Sequence, residues 1–343
     1  MVEIDGSFGE GGGQILRSSL TLSAMTGQDL QIKNIRAKRK TPGLRPQHLK
    51  ALEAAREICG ATIEGGYIGS QSISFYPDEI RAGNYHFDIG TAGSASLVVQ
   101  TVLLPLSKAK NKSTVTVTGG THVPWSPCFH YLNLNYLPFI WKIGLDVQLR
   151  MERAGFYPNG GGQIRASINP VSDLQSLHLT ERGRLIEIRG ISAVAKLSRN
   201  IATRQRRQVI GRLGRRYPLN DIRVVEFDAP SPGSMILLLA MFERSQACYF
   251  ALGKKGVSAD KIADKAINEF ESFIATQGAI DQYLADQLLL PIVFAGSASE
   301  FHTSSITKHL LTNAEVIKAF LPAEIVINGS IGEPGIVIVN PSK

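Results

Sequence analysis

A glycine-rich segment near the beginning of the chain has residue types that suit phosphate binding. Residues 9–17 read GEGGGQILR; glycines let a backbone approach a ligand closely, and the free N–H groups at the start of a helix favour an anion. Gln14 and Arg17 share one face of the predicted helix, so Arg17 could bind phosphate bidentately, while Glu10 suits a divalent cation. A structural glycine turn is the alternative, because the segment matches neither the Walker pattern nor the dinucleotide fingerprint.

His309 is the residue of this chain best placed to act as a nucleophile. Thr312 and Glu315 fit a capping box, which predicts a helix that begins at Asn313 with His309 just before it. An anion is favoured at such a position, and a neutral imidazole can attack phosphorus to form a phosphoramidate. None of the other six histidines has this setting so clearly. A structural histidine is the alternative.

Two further segments combine charged or polar residues with a defined turn or helix. Residues 35–48 read IRAKRKTPGLRPQH and hold five cationic residues in ten positions around a Pro-Gly turn; they could close around an oligonucleotide end, or form an exposed basic loop without a ligand. Residues 283–291 read YLADQLLLP and predict a buried helix that ends near Pro291. Asp286 and Gln287 interrupt its apolar run and are rarely buried without partners. In one interpretation, Tyr283 stacks on a base while Asp286 and Gln287 bind a ribose or a metal. In the other, these residues form a helix-capping network.

Hydrophobic periodicity and turn residues predict a mixed α/β chain. Helices are predicted over 14–26, 46–59, 94–108, 199–216 and 259–275. Strands are predicted over 113–118, 185–197 and 222–227, with a strand–turn–strand over 61–76 and a hairpin that pairs 324–328 with 335–339. Two pairs of similar segments, GGGQI at 11–15 and 160–164 and AGSAS at 92–96 and 295–299, indicate duplicated supersecondary units.

The stretch from 182 to 278 lacks the glycine-rich turns of its surroundings, which predicts a smaller domain inserted into a larger one. Seven arginines between Arg199 and Arg216 form either a solvated helix face or a patch that contacts phosphate.

The composition is that of a globular protein with a basic surface. The 343 residues suggest about two domains, and 37 basic against 29 acidic residues give a net charge of +8, which favours polyanions. No run of about 18 apolar residues predicts a membrane span. The start lacks the features of a signal peptide, so a cytoplasmic location is expected. The three cysteines match neither a disulfide framework nor a zinc pattern.

Taken together, these segments resemble the RNA 3′-terminal phosphate cyclase family along nearly the whole chain. The matching motifs are GEGGGQILR (9–17), IRAKRKTPGLRPQHL (35–49), GTAGSASLVVQTVLLPL (90–106), GFYPNGGG (155–162), YLADQLLLP (283–291) and HLLTN (309–313). The resemblance implies an α/β (α+β) fold whose large domain has three repeated units, each a four-stranded sheet with two helices, and a smaller inserted α/β domain. The large domain is then discontinuous, 1–181 and 279–343, and the insertion is 182–278.

The resemblance also implies a reaction and its participants. ATP, with Mg²⁺ or Mn²⁺ to offset its charge, would transfer AMP to a histidine and then to an RNA that ends in a 3′-phosphate. The neighbouring 2′-hydroxyl would expel AMP and leave a 2′,3′-cyclic phosphate. By position, the catalytic residue is His309 and the metal residue is Glu10. The ATP-binding residues are Gln100, Pro127, Tyr283, Leu284, Ala285, Asp286 and Gln287. The residues that bind RNA or phosphate are Gln14, Arg17, Arg36, Arg39 and Gln47.

Two other functions share this architecture. A non-catalytic cyclase-like protein that acts in ribosome assembly would have no chemical need to keep His309 together with Gln100 and YLADQ. Enolpyruvyl transferases have the same repeated units, so fold alone does not settle function, but they do not need ATP. The sequence leaves open the physiological RNA, the preferred metal, activity on DNA ends or 5′-phosphates, and the oligomeric state.

Overall fold

The computed structural model describes residues 1–341 and shows a mixed α/β protein with four four-stranded sheets, which confirms the predicted fold class. The strands are β1 Val2–Asp5, β2 Leu30–Lys33, β3 Thr62–Glu64, β4 Ile73–Tyr76, β5 Asn84–Asp88, β6 Ser113–Gly119, β7 Val147–Arg153, β8 Gly162–Ile168, β9 His178–Leu179, β10 Leu185–Ala195, β11 Leu219–Glu226, β12 Gly233–Phe242, β13 Gln246–Leu252, β14 Ser299–Thr303, β15 Glu324–Asn328 and β16 Gly335–Asn340. The helices are α1 Gly13–Thr26, α2 Pro46–Cys59, α3 Ala95–Leu106, α4 Phe129–Tyr131, α5 Leu137–Lys142, α6 Arg199–Leu213, α7 Ala259–Ile274, α8 Gln282–Ile292 and α9 Lys308–Phe320, with a π-helical turn Leu132–Tyr136 between α4 and α5.

Three of the sheets repeat one topology. Their strand orders are β1-β2-β4-β3, β5-β6-β8-β7 and β9-β14-β16-β15. In each sheet the first two strands are parallel and the other pairings are antiparallel. A parallel pair needs a crossover, and α1, α3 and α8 lie in these connections, while α2, α5 and α9 follow the second strand of each unit. The three repeated units that the resemblance implied are therefore present.

Supersecondary units are duplicated as predicted, but the two pairs of similar sequence segments do not occupy equivalent positions in them. The first GGGQI segment leads into α1, whereas the second leads into β8. The first AGSAS segment leads into α3 and the second into β14. A glycine turn permits either continuation because its conformational freedom is local. The repetition lies in the topology and not in these short motifs.

The fourth sheet, of order β11-β10-β12-β13, lies in the chain between β9 and α8 together with α6 and α7. One of its faces packs with the two helices into a hydrophobic core of its own, which includes Val209, Leu238 and Phe270. Its other face contributes Ile191 and Leu237 to the main core. These elements lie within the predicted insertion, whose limits at 182 and 278 stay a prediction.

Two arginines of α6 hold this helix against α7. Arg204 pairs with Asp260, and Arg212 pairs with Asp264 at 3.0 Å. Beyond the end of the helix, Arg216 pairs with Glu271. The helix ends at Leu213, three residues before the predicted end. Three of the seven arginines are thus paired within the protein, while Arg206, Arg207 and Arg215 are exposed to solvent, as on a solvated helix face.

Helix α1 occupies a central position because it contacts α2, α3 and α9. Thr21 of this helix donates from its buried Oγ1 to the Thr101 carbonyl on α3 at 2.8 Å. The predicted helix boundaries agree here, since α1 and α2 end at Gly27 and Gly60 in the left-handed conformation. No helix within residues 1–341 is both long and apolar enough to span a membrane.

Candidate active site

His309 lies within the first turn of α9, not before the helix as predicted. The helix begins at Lys308, and the side chain of Thr307 caps it by accepting a hydrogen bond from the Leu310 N–H at 2.9 Å. Thr312 is inside the helix, where its hydroxyl donates to the Lys308 carbonyl at 2.6 Å. The predicted capping box at Thr312 is therefore wrong. An imidazole in the first turn still lies at the positive end of the helix dipole.

Glu10 joins His309 to the basic loop. Its Oε2 atom lies 3.0 Å from Nε2 of His309 and 3.5 Å from an Nη atom of Arg39. The turn that carries Glu10 rests on α9, because Gly9 has φ +55° and a Cβ there would collide with Thr312. The structure thus brings together three predicted site residues from three separate segments.

The two ring nitrogens of His309 have different surroundings. Nδ1 is buried and has no hydrogen-bond partner among the described residues, whereas the side chain as a whole is 43% exposed and Nε2 faces Glu10. Burial lowers the pKa of His309 below its usual value; Glu10 opposes this effect and the charges of Arg17 and Arg39 add to it. The ring is therefore neutral at neutral pH, and Nε2 is the nitrogen that a ligand can reach.

Arg17 provides a positive charge that no carboxylate of residues 1–341 offsets. Burial alone lowers its pKa, to about 10, so the guanidinium remains charged at neutral pH. Its neighbour Gln14 donates from Nε2 to the His309 carbonyl at 3.4 Å, while Oε1 of Gln14 is buried without a partner in the described part of the chain. A partly buried, uncompensated guanidinium is a strong site for an anion.

His48 is a site residue that the sequence reasoning missed. It is 5% exposed, and its Nδ1 accepts a hydrogen bond from the Arg45 N–H at 3.2 Å. Burial and the charges of Arg17, Arg36 and Arg45 lower the pKa of His48 to about 3, so its proton lies on Nε2. That nitrogen rests against the first residue of α1, because a Cβ at Gly13 would collide with it. In the sequence, only its position directly after Gln47 could have indicated that His48 lies at this site.

The two remaining predicted phosphate residues are partly engaged within the protein. Arg36 donates from Nη1 to the carbonyls of Thr41 and Gly43 at 2.9 and 2.8 Å, which holds the basic loop in shape. Burial and two neighbouring arginines lower the pKa of Arg36. Gln47, in the first turn of α2, accepts a hydrogen bond from the Ser94 N–H at 2.9 Å and so ties this helix to the start of α3.

A buried network fixes α9 against α1 and α8. Asn313 accepts from the Ser18 hydroxyl at 2.7 Å and donates to the Asp286 carbonyl at 2.8 Å. The Asp286 carboxyl in turn accepts from the Thr307 hydroxyl at 2.5 Å. Burial raises the pKa of Asp286 well above its usual value, with Glu10 adding to the effect. The capping network that was the alternative interpretation of Asp286 is present, and the role of Asn313 as its centre was not predicted.

The predicted ATP-binding residues on α8 divide into exposed and buried members. Tyr283 is 42% exposed, and its carbonyl accepts from Nε2 of Gln287 at 2.7 Å. Oε1 of Gln287 accepts from Nε2 of Gln100 at 2.7 Å, a bond that links α3 to α8. The side chains of Leu284 and Ala285 are fully buried. Pro127 is half-buried in the loop before α4, and no described contact joins it to α8.

The residues present suit a divalent cation only if a ligand completes its coordination. Within residues 1–341 there is no group of three or more His, Cys, Asp or Glu side chains that could hold a metal ion. Glu10 supplies a single carboxylate. Mg²⁺ is commonly bound by one or two carboxylates together with substrate phosphates, and Glu10 fits that role.

The fold and site define an α/β protein of three repeated units with a histidine beside a carboxylate and two arginines. Comparison with known proteins identifies the family, since the family model described as RNA 3′-terminal phosphate cyclase matches residues 8–327. This chain is similar to proteins of that name from Pseudomonas fluorescens (44% identical, over 95% of this chain and 94% of the relative), Nostoc punctiforme (40%, 96% and 96%) and Gloeothece citriformis (38%, 96% and 96%).

The chain belongs to the RNA 3′-terminal phosphate cyclase family, and it is an enzyme. A solved structure of the enolpyruvyl transferase NikO from Streptomyces tendae also matches, with a TM-score of 0.27 and 11% identity over 49% of this chain and 33% of that chain. That likeness is too low to support a conclusion.

Proposed function

We propose that this protein converts the 3′-terminal phosphate of an RNA into a 2′,3′-cyclic phosphodiester at the expense of ATP, through a covalent histidine–AMP intermediate. Membership of the family supports the overall reaction. The observation that supports the intermediate is the setting of His309, whose Nε2 is accessible beside uncompensated positive charge while Nδ1 is enclosed. Three cysteines that are buried and unpaired agree with a reducing, cytoplasmic location.

In the first step, Nε2 of His309 attacks the α-phosphorus of ATP and pyrophosphate leaves. The attacking nitrogen needs a free lone pair, so the single proton of the neutral ring must lie on Nδ1. In that tautomer Nε2 no longer donates to Glu10, and the carboxylate is free to turn towards another partner. The lowered pKa of His309 keeps the ring neutral, and Arg17 and Arg39 attract the triphosphate to the same place.

In the second step, an oxygen of the RNA 3′-phosphate attacks the phosphorus of the histidine-bound AMP. The N–P bond breaks, the imidazole is regenerated, and the RNA ends in (3′)pp(5′)A. The adenylated phosphate now has AMP as its leaving group. In the third step, the 2′-hydroxyl attacks the adjacent 3′-phosphorus, gives up its proton, and expels AMP. Because this attack is intramolecular, effective molarities can reach about 10⁵ M or more.

The positions of the polar groups suggest how the substrates are divided over the site. Tyr283 and Gln287 on α8, with Gln100 on α3, would bind the adenosine, and Pro127 would pack on its base. The phosphates of ATP and RNA would bind near the starts of α1 and α2. The residues proposed for this role are Gln14, Arg17, Arg36, Arg39 and Gln47. Mg²⁺ or Mn²⁺ held by Glu10 would offset triphosphate charge and help pyrophosphate leave.

The proposal is tested by measuring the intact mass of the protein after incubation with ATP and Mg²⁺ or Mn²⁺. The wild type should gain one AMP through a bond that is labile in acid and stable in base, and His309→Ala should gain none. His302→Ala is the matched control, because Nε2 of His302 also faces a glutamate, Glu300, at 3.2 Å but lies on β14. This control should gain AMP as the wild type does.

A second measurement follows the RNA. A 3′-phosphorylated RNA incubated with enzyme and ATP should become resistant to phosphatase, as a cyclic phosphate is. Labelling of His309→Ala at the wild-type level would contradict the assignment of the nucleophile. A wild-type protein that gains no AMP with either metal, and leaves the RNA end open to phosphatase, would favour the non-catalytic cyclase-like function.

A further inference from the structure

A shallow cleft beside Gln47 is lined by two exposed aromatic side chains. It has a volume of ≈ 200 Å³, and its walls include Gln47, Ala92, Pro124, Trp125, Ser126 and Tyr157. Trp125 is 98% exposed and Tyr157 is 69% exposed. Neither side chain is used by the reaction steps described above. Trp125 is the most exposed of the large hydrophobic side chains in residues 1–341.

The backbone holds Trp125 in the solvent at an energetic cost. Its φ is +59°, a region that bulky residues rarely adopt. The hydroxyl of the next residue, Ser126, donates to the Val123 carbonyl at 3.2 Å and closes the turn. Strained backbone of this kind is concentrated at ligand-binding positions. Because the indole contributes nothing to the core, packing does not explain why it is held there.

The cleft shares one residue, Gln47, with the proposed phosphate site. Gln47 lines it and also belongs to the first turn of α2, next to His48 and the basic loop. The opposite wall belongs to the loop before α4 and to the segment around Tyr157. A nucleotide whose phosphate lies at Gln47 therefore has its base within reach of the two aromatic rings. Aromatic side chains and an amide are typical partners of an unpaired base in single-stranded RNA.

We propose that this cleft binds the base of the 3′-terminal nucleotide of the RNA, stacked on Trp125 and flanked by Tyr157. The proposal rests on the proposed function, which supplies the RNA. Stacking is possible for every base, so the cleft would position the end without selecting its sequence. Removing one aromatic partner should weaken RNA binding about 5- to 150-fold, the equivalent of 1–3 kcal/mol per stacked base.

The chain contains only two tryptophans, which allows a direct optical test. Trp141→Phe leaves Trp125 as the single indole; Trp141 does not line the cleft, and its Nε1 donates to the Val147 carbonyl. A short 3′-phosphorylated RNA should quench the emission of this variant. The same RNA with an abasic terminal nucleotide should bind without quenching, and an RNA that is abasic five nucleotides from the end should quench fully.

Binding is measured in parallel by fluorescence anisotropy of an RNA labelled at its 5′ end. Trp125→Ala and Tyr157→Ala should have melting temperatures near that of the wild type. Both should weaken binding of the normal RNA but not of the terminally abasic one. Trp125→Phe should retain most of the affinity that Trp125→Ala loses. RNA that binds with unchanged Trp125 emission would overturn the cleft proposal alone. RNA that does not bind at all would overturn the proposed function as well. Quenching of Trp125 emission by ATP in the absence of RNA would show that the cleft binds adenine, which would also overturn the cleft proposal.

Discussion

Asn313 offers the sharpest test of how the fold positions the candidate nucleophile. Its side chain joins three helices, because it accepts from Ser18 on α1 and donates to the Asp286 carbonyl on α8. The residue is 4% exposed, so water cannot replace either bond. Asn313→Ala removes both bonds, so the buried Ser18 hydroxyl and the Asp286 carbonyl each lose a partner.

The magnitude follows from those two groups. Leaving a buried polar group unsatisfied costs about 1–3 kcal/mol. The Ser18 hydroxyl can rotate towards a carbonyl of its own helix, so the total should be about 2–4 kcal/mol. With an unfolding entropy of about 2.1 cal/mol/K per residue, the entropy for the whole chain is about 0.7 kcal/mol/K. The melting temperature should therefore fall by about 3–6 °C.

The assay combines calorimetry with the rate of covalent labelling by ATP. The variant should label more slowly than the wild type, because α9 carries His309 four residues before Asn313. Lys318→Ala is the control on the same helix; its exposed pair with Glu315 should be worth at most about 0.5 kcal/mol. If Asn313→Ala melts and labels like this control, the network does not position α9 and the reasoning is refuted.

Three other predictions concern charge. Glu10→Gln should lower the pKa of His309, since Glu10 is the one contribution that raises it; an NMR titration without nucleotide measures this, and an upward shift would contradict it. Arg182→Ala should destabilise the protein by about 2–4 kcal/mol in denaturant unfolding, because its guanidinium donates to four carbonyls at the end of α7 and just after it; a change below about 0.5 kcal/mol would show that these bonds are dispensable. Burial lowers the pKa of His122 and of His130, the latter to about 4. The native state therefore keeps both rings neutral, whereas the histidines of the unfolded chain are protonated near pH 6.5. The free energy of unfolding should be highest above pH 6.5 and should decrease from there towards pH 4. His130→Asn should make this decrease with falling pH less steep.

The sequence by itself determined most of the local elements. Helix α2 runs from Pro46 to Cys59 as predicted, because proline suits the first helical position and Gly60 accepts the left-handed conformation that ends it. The hairpin of β15 and β16 also pairs as predicted. In each case the signal lies within a few residues of the element itself. The segment that carries His309 was likewise recognisable from its residues alone.

Only the tertiary structure decided where α9 begins and what surrounds His309. Thr307 and Thr312 are both possible helix caps in the sequence, but Thr307 alone can donate to Asp286 while it caps the helix. Glu10, 299 positions away in the chain, then meets His309 because α1 packs between α2, α3 and α9. A local pattern cannot choose between two caps when the free-energy difference comes from contacts made by distant segments. For the same reason, no sequence pattern predicts the cleft, because Gln47, Trp125 and Tyr157 come from three segments that only the fold brings together.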